Sequence, residues 1–177
     1  RNFSLENQDK GIEVDKDPEV GLKKSQLPLS LSTEVSRARR LKSPLAVMVA
    51  HIEYIGDSQR EFDKAFEIIK GHLRPYDLVS QLNKEELVVA LPHCNYEDAA
   101  IKAETIRRQL VSRGLKSQNA PLRLCFGVSE YPSLSGDSDQ LLEDAKKACS
   151  QVLVSGKNKV CLYTADDQFE PEFRPQI

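Results

Sequence analysis

The sequence predicts an α+β fold, an α/β sandwich whose central, mostly antiparallel sheet carries helices on its faces. Segments with helical and strand-like periodicity follow one another in the order α-β-α-β-β-α-β-α-β. Two strand segments are separated only by Asn83-Lys84, a length typical of a β-hairpin, so neighbouring strands in the middle of the chain should be antiparallel. Residues 45–52 are apolar on both faces, as a central strand covered from two sides should be.

Four segments carry apolar residues at helical spacing, which predicts four helices. The first covers residues 30–41, with Pro28 suited to its start, and the third covers about residues 96–113. Arg74-Pro75 ends the second, because proline lacks an amide donor and disfavours a helical residue before it. The side chains expected to face the core are Leu31, Val35, Ala38, Phe62, Phe66, Ile69, Leu73, Ala99, Ala103, Ile106, Leu110, Leu141, Ala145, Ala148 and Val152.

Five segments have the composition of strands. They cover residues 45–52, 78–82, 85–91, 122–128 and about 159–163.

The folded domain is expected to span residues 17–165. Residues 1–16 are polar and lack periodicity, which indicates a linker or disordered lead-in. Residues 166–177 are rich in acids and prolines and are expected to form an extended tail. Because the chain begins at Arg1, we expect it to be part of a longer protein.

Charge and composition exclude several classes of partner. A formal net charge of −2 gives no broad positive field, which argues against binding to nucleic acid polymers. No apolar run reaches the length of a membrane span. The four cysteines have no C-x-x-C spacing, which argues against a zinc site, and a reducing cytoplasm is the simplest location.

Seven short motifs are spread along most of the chain. They are Asp17-Pro18-Glu19-Val20-Gly21-Leu22, Glu34-Val35-Ser36-Arg37-Ala38, Ala50-His51-Ile52-Glu53, Arg74-x-x-Asp77 five residues before Asn83-Lys84-Glu85-Glu86-Leu87, Ala103-Glu104-Thr105-Ile106-Arg107, Phe126-Gly127-Val128 and Gly156-Lys157-Asn158-Lys159-Val160. In this order they resemble the motifs of the GGDEF (diguanylate cyclase) family. The resemblance implies a palm-like nucleotidyl-cyclase fold, and cyclic di-GMP as the related ligand.

The residues at the family's metal positions indicate a degenerate catalytic site. In the family, one carboxylate from the first strand and one from the hairpin hold the Mg²⁺ ions. The first-strand position here is His51, and a neutral imidazole is a poor ligand for Mg²⁺, which prefers hard oxygens. Glu53 is displaced by about 6.6 Å along the strand and does not simply replace it. Of the family's catalytic set, only Glu85 and Glu86 remain, so we expect no metal cofactor.

Other departures affect the nucleotide. The two hairpin glycines correspond to Asn83 and Lys84. Asparagine tolerates left-handed backbone, but the lysine side chain lies where the guanine should bind. The segment between His51 and Arg74 is shorter than in the family and lacks its base-reading loop, and Leu153 corresponds to the family's phosphate-contacting lysine.

Arg74 and Asp77 correspond to the family's product-inhibition site, which binds cyclic di-GMP. An arginine presents a planar fork to guanine O6/N7 or to phosphate, and an ionised aspartate accepts from the guanine N1–H and N2–H edge. Both side chains are expected to project to one surface pocket. The family adds a second arginine at the position of Thr105, and Arg107 and Arg108 are the nearby candidates to replace it.

Three functional hypotheses remain open from the sequence. The leading one is a non-catalytic cyclic di-GMP receptor that signals to a neighbouring domain or partner. The second is a ligand-independent module that dimerises or docks, in which Arg-x-x-Asp is a surface pair left from ancestry. The third is a residual cyclase or nucleotide hydrolase that uses Glu85 and Glu86, although these acids more often form a solvated turn. His51 has its own simple explanation as a hydrogen-bonded core histidine.

Overall fold

The computed structural model describes residues 21–53, 58–113, 123–154 and 159–163. The strands are β1 (Leu45–Glu53), β2 (Leu78–Gln81), β3 (Glu86–Pro92), β4 (Arg123–Tyr131) and β5 (Lys159–Leu162). The helices are α1 (Leu27–Leu41), α2 (Ser58–Gly71), α3 (Tyr96–Ser112) and α4 (Ser138–Val154), with a short 3₁₀ helix at Lys24–Gln26. No helix among the described residues is long and apolar enough to cross a membrane.

The five strands form one mixed sheet in the order β2-β3-β1-β4-β5. All neighbouring pairs are antiparallel except β4 and β5, which are parallel. The strand β1 lies at the centre, where its first six residues are fully buried, because both of its faces are apolar. The predicted α+β fold, with its mostly antiparallel sheet and its hairpin in the middle of the chain, is confirmed.

Alternate residues of β1 belong to two different hydrophobic layers. Ala46, Met48, Ala50 and Ile52 pack in the layer that includes the apolar residues of α2 and α3. The intervening residues face the layer formed with α1 and α4. The sheet is therefore covered by two helices on each face.

Several element boundaries differ from those predicted. The helix α1 begins at Leu27, three residues early, because Pro28 is accommodated in its first turn. The helix α2 ends at Gly71, so Leu73 lies beyond it, although its side chain still packs on the core. Some predictions fall outside the described residues. They concern the lead-in, the tail, residues 17–20 of the first motif and residues 156–158 of the closing motif.

Gly127 in β4 permits α4 to lie directly on the sheet. A Cβ atom at this position would clash with the Ala145 carbonyl oxygen and would lie 2.6 Å from the backbone nitrogen of Cys149. Both of those groups belong to the backbone of α4, which a small shift of a side chain cannot relieve. Glycine is therefore required here by close helix–sheet contact.

We predict that Gly127→Ala lowers the free energy of unfolding by at least about 2 kcal/mol, because the added methyl group forces α4 away from β4. Urea denaturation of the variant and the wild type measures this. Gly71→Ala is the matched control: a Cβ at Gly71 meets nothing within 4 Å, so its effect should stay within about 1 kcal/mol. Equal effects of the two substitutions would contradict the close contact.

Candidate functional site

His51 lies beside both acidic residues of the hairpin. It is paired with Glu86 across β1 and β3, and its Nδ1 lies 3.5 Å from Glu86 Oε1. On its other side, Nε2 lies 3.6 Å from Glu85 Oε2. The imidazole is 13% exposed. It therefore occupies the space between the two carboxylates, at the end of the central strand.

Asn83 organises the hairpin turn through its side chain. Its Nδ2 donates to Glu86 Oε2 at 2.7 Å, and its Oδ1 accepts from the Glu85 amide at 2.9 Å. Such bonds from asparagine to nearby backbone stabilise tight turns. Asn83 does not adopt the left-handed backbone that the sequence allowed, since the described non-glycine residues with positive φ are Lys42 and His93.

These residues do not fit the Mg²⁺ site that the resemblance implies. Both acids already contact His51, and Glu86 also accepts from Asn83. Within the described part of the chain, no three His, Cys, Asp or Glu side chains are arranged to hold a metal ion. Leu153, at the family's lysine position, packs against the apolar layer beneath α4.

A second polar cluster lies in the turn between α2 and β2. The Asp77 carboxylate accepts a hydrogen bond from the backbone amide of Arg74 at 2.7 Å and from the Arg74 guanidinium at 3.0 Å. The Asp77 amide in turn donates to the Arg74 carbonyl at 3.0 Å. The Asp77 side chain is 0% exposed. This corrects the expectation that both side chains project to the surface, because Asp77 turns inward to cap its own turn.

Arg74 joins this turn to other elements. Its Nη2 also donates to the carbonyl oxygen of Pro92 at 2.8 Å, and its guanidinium carbon lies 4.6 Å from the centre of the Tyr76 ring. The hydrogen bond to Asp77 is the main cause that raises the pKa of Arg74. Its side chain is 33% exposed, so solvent and ligands can reach the guanidinium but not the carboxylate.

Lys102 is a member of this cluster that the sequence analysis did not identify. Its Nζ donates to the carbonyl oxygen of His72 at 3.2 Å and lies 3.8 Å from Asp77 Oδ2. Lys102 precedes Thr105 by one turn of α3 and lies roughly 60° from it around the helix axis. The basic residues one turn either side of Thr105 are Lys102 and Arg108, and Lys102 is the one that lies close to Asp77.

Arg107 and Arg108 are both engaged by Glu104 in this structure. Arg107 Nε donates to it at 2.7 Å and Arg108 Nε at 2.9 Å. Around the axis of α3, Arg107 lies roughly 160° from Thr105, whereas Arg108 lies roughly 60° from it, as Lys102 does. That one of them replaces the arginine missing at Thr105 stays a prediction.

Comparison with known proteins agrees with this fold. Residues 22–159 match the family described as "Diguanylate cyclase, GGDEF domain". The chain belongs to this family. No curated protein is similar in sequence to this GGDEF domain at a significant level.

Solved GGDEF domains have the same fold as this one. The active GGEEF domain of a diguanylate cyclase from Vibrio cholerae has a TM-score of 0.66 and 20% identity, over 78% of this chain and 95% of that chain. The GGDEF domain of TpbB (YfiN) from Pseudomonas aeruginosa has a TM-score of 0.70 and 21% identity, over 85% and 95%. The GGDEF domain of DgcB from Caulobacter crescentus, solved in complex with cyclic di-GMP, has a TM-score of 0.66 and 17% identity, over 80% and 88%. At such identities the likeness establishes the fold alone.

The ion pairs of Glu104 predict how the stability of this GGDEF domain depends on pH. Hydrogen bonding to Arg107, and then to Arg108, lowers the pKa of Glu104 from its usual 4.5. A lowered folded-state pKa stabilises the fold above pH 4.5, and this contribution is lost as the pH falls through the folded-state value. Glu104→Gln should therefore lower the free energy of unfolding at pH 7 by about 1–2 kcal/mol.

Chemical denaturation at pH 7 and pH 3 measures the effect, and the difference between variant and wild type should shrink at pH 3. Glu143→Gln is the matched control, since Glu143 is 60% exposed and its ion pair with Lys146, at 3.6 Å, lies at the surface. Its effect should stay below about 0.5 kcal/mol. A pH-independent loss in Glu104→Gln would show that its ionisation does not contribute.

Proposed function

We propose that this GGDEF domain is a non-catalytic receptor that binds cyclic di-GMP at Arg74 and Asp77. The observation that carries the proposal is the Arg74–Asp77 pair, in which an exposed guanidinium lies above a carboxylate fixed within its turn. In this chain it has the spacing from the hairpin of the family's product-inhibition motif. The solved DgcB domain from Caulobacter crescentus, with cyclic di-GMP bound, supports that ligand class for the fold.

Binding requires the hydrogen bonds between the Arg74 guanidinium and the Asp77 carboxylate to open. Arg74 must exchange at least part of its contact with Asp77 for the ligand, presenting its planar fork to guanine O6/N7 or to phosphate. The carboxylate can then accept from the guanine N1–H and N2–H edge. The stacking of Arg74 on Tyr76, which is 52% exposed, leaves an aromatic ring at the surface beside the departing guanidinium. Opening this pair costs free energy, so the affinity should be lower than for a site open in advance.

The proposed lack of cyclic di-GMP synthesis is based on the residues around the hairpin acids. His51 lies where the family has a metal-binding carboxylate, and it engages both remaining acids. Catalysis of phosphoryl or nucleotidyl transfer rests mainly on metal ions and positioning, and His51 takes the place of the first-strand carboxylate that would complete a metal site with these acids. We therefore propose that the domain senses cyclic di-GMP in the cytoplasm, where its four free, buried cysteines stay reduced.

A ligand-independent interaction module is the second candidate. It is favoured by the contacts of Asp77 within the domain: its carboxylate accepts hydrogen bonds from Arg74 and lies near Lys102. In this case the cluster would only stabilise the turn, and the domain would form a homodimer or bind a signalling protein through another surface. Titration with the dinucleotide separates the two candidates.

We predict that cyclic di-GMP binds the wild type in a calorimetric titration and that Arg74→Ala weakens binding by about 1.5–3 kcal/mol, the value of a charge-assisted hydrogen bond. Arg74→Lys should restore little, because an ammonium lacks the planar fork. Asp77→Asn should also weaken binding, since its amide opposes the guanine donors. Cyclic di-AMP should bind much less, because adenine lacks that donor edge.

Arg107→Ala and Arg108→Ala, titrated in the same salt, should cause smaller losses of affinity, and only if one of them replaces the arginine missing at Thr105. If the wild type gives neither heat nor a shift in melting temperature at about millimolar dinucleotide, the receptor hypothesis fails and the interaction module replaces it.

We also predict no conversion of GTP to cyclic di-GMP with Mg²⁺ or Mn²⁺, because members of one catalytic unit are lost together. Chromatography of the products measures this. The triple variant His51→Asp, Asn83→Gly, Lys84→Gly should stay inactive, since the segment before Arg74 still lacks the base-reading loop and GTP would be poorly oriented. Steady synthesis by the wild type that disappears in Glu86→Gln would establish the residual cyclase instead.

A further inference from the structure

We propose that Lys102 is the permanent counter-ion of Asp77, which keeps the buried carboxylate paired while Arg74 turns to a ligand. The part that concerns the ligand rests on the proposed receptor function. The part that concerns charge pairing is a property of the free domain. Lys102 is thus a positioning residue, since it acts on the ligand through Asp77.

The two cations of the cluster differ in how they are held. Arg74 belongs to the same turn as Asp77, and its guanidinium is partly exposed. Lys102 comes from α3, is 23% exposed, and is held in place by a hydrogen bond to the carbonyl oxygen of His72. This carbonyl belongs to the turn that ends α2, so the lysine connects that turn to α3. Arg74 also donates to the Pro92 carbonyl oxygen at 2.8 Å, so its guanidinium keeps an anchor when it exchanges the carboxylate for a ligand. In this exchange Lys102 keeps its contact with Asp77.

The burial of Asp77 makes the second cation necessary. Its side chain is 0% exposed while Arg74 covers it, so the departure of Arg74 removes the main charge partner of a carboxylate that is otherwise enclosed by protein. Removing one partner of a buried ion pair is strongly destabilising, because an uncompensated charge stays behind. Two partners of the carboxylate would persist. The backbone amide of Arg74 donates to Asp77 Oδ2 at 2.7 Å, and Lys102 Nζ lies 3.8 Å from the same oxygen. With Lys102 present, the exchange of Arg74 from carboxylate to ligand does not leave that charge alone.

A double-mutant cycle in the free domain tests the charge pairing without any ligand. Arg74→Met and Lys102→Met each leave Asp77 one cation, whereas the double variant leaves none. We expect the double variant to raise the unfolding equilibrium constant by at least about tenfold more than the product of the two single effects. Lys146→Met, which removes a lysine from α4 on the opposite face of the sheet, is the matched control and should combine with Arg74→Met without coupling. Effects of Arg74→Met and Lys102→Met that simply multiply would overturn the proposal.

Titration with cyclic di-GMP tests the consequence for binding. Lys102→Met should lower the affinity about tenfold, and Lys102→Arg should stay within about threefold of the wild type, because it restores a cation. In the Asp77→Asn background, Lys102→Met should cause no further loss, since no charge is left to pair. A loss that persists in that background would show that Lys102 acts only by holding His72, which overturns its role as counter-ion.

The two failures are distinguishable. If the wild type does not bind cyclic di-GMP, the receptor function fails and the unfolding cycle alone decides the role of Lys102. If the wild type binds and Lys102→Met binds equally well, the receptor function stands and the role assigned to Lys102 is overturned.

Discussion

The burial of β1 on both faces is the constraint on which the rest of the structure depends. Its first six residues are apolar and fully buried, so the strand must have neighbours on both edges and helices on both faces. Pairing with β3 and β4 meets the first requirement, and the four helices meet the second. The apolar run ends at His51, where the strand emerges beside the hairpin. The position of the hairpin acids is therefore set by the same strand that organises the core.

The sequence predicted the elements well but their spatial order only in part. The hairpin of β2 and β3 followed from the two residues between the predicted strands, and the central place of β1 from its uniform apolarity. The parallel pairing of β4 with β5 was not predicted, because it depends on how α4 crosses the sheet at Gly127. Periodicity shows which face of a helix is apolar, but not which sheet face it covers.

The residues of the Arg74–Asp77 cluster were likewise predicted only in part. The sequence identified Arg74 and Asp77 from their spacing, and the structure brings them together. It could not predict that Asp77 turns inward, because the alternatives of capping the turn and facing solvent fit the same four residues. Lys102 was missed because its contact depends on where α3 lies relative to the end of α2. Arg107 and Arg108 were chosen for closeness in sequence to Thr105, and in the structure both donate to Glu104.

The hairpin and the turn after α2 each bring a carboxylate close to a nitrogen-bearing side chain, and they differ in how exposed that side chain is. At the hairpin, His51 is part of the central strand, and its imidazole is 13% exposed. In the turn after α2, the Arg74 side chain is 33% exposed, donates to the Pro92 carbonyl oxygen as well as to Asp77, and has the Tyr76 ring beside it. At the hairpin, an imidazole lies between the two acids at the position where the family is expected to have a carboxylate. In the turn after α2, a partly exposed guanidinium lies between the Asp77 carboxylate and solvent. The proposed binding of cyclic di-GMP therefore depends on the exchange of one side-chain contact, whereas the proposed loss of metal-dependent chemistry depends on the chemical type of the residue at His51.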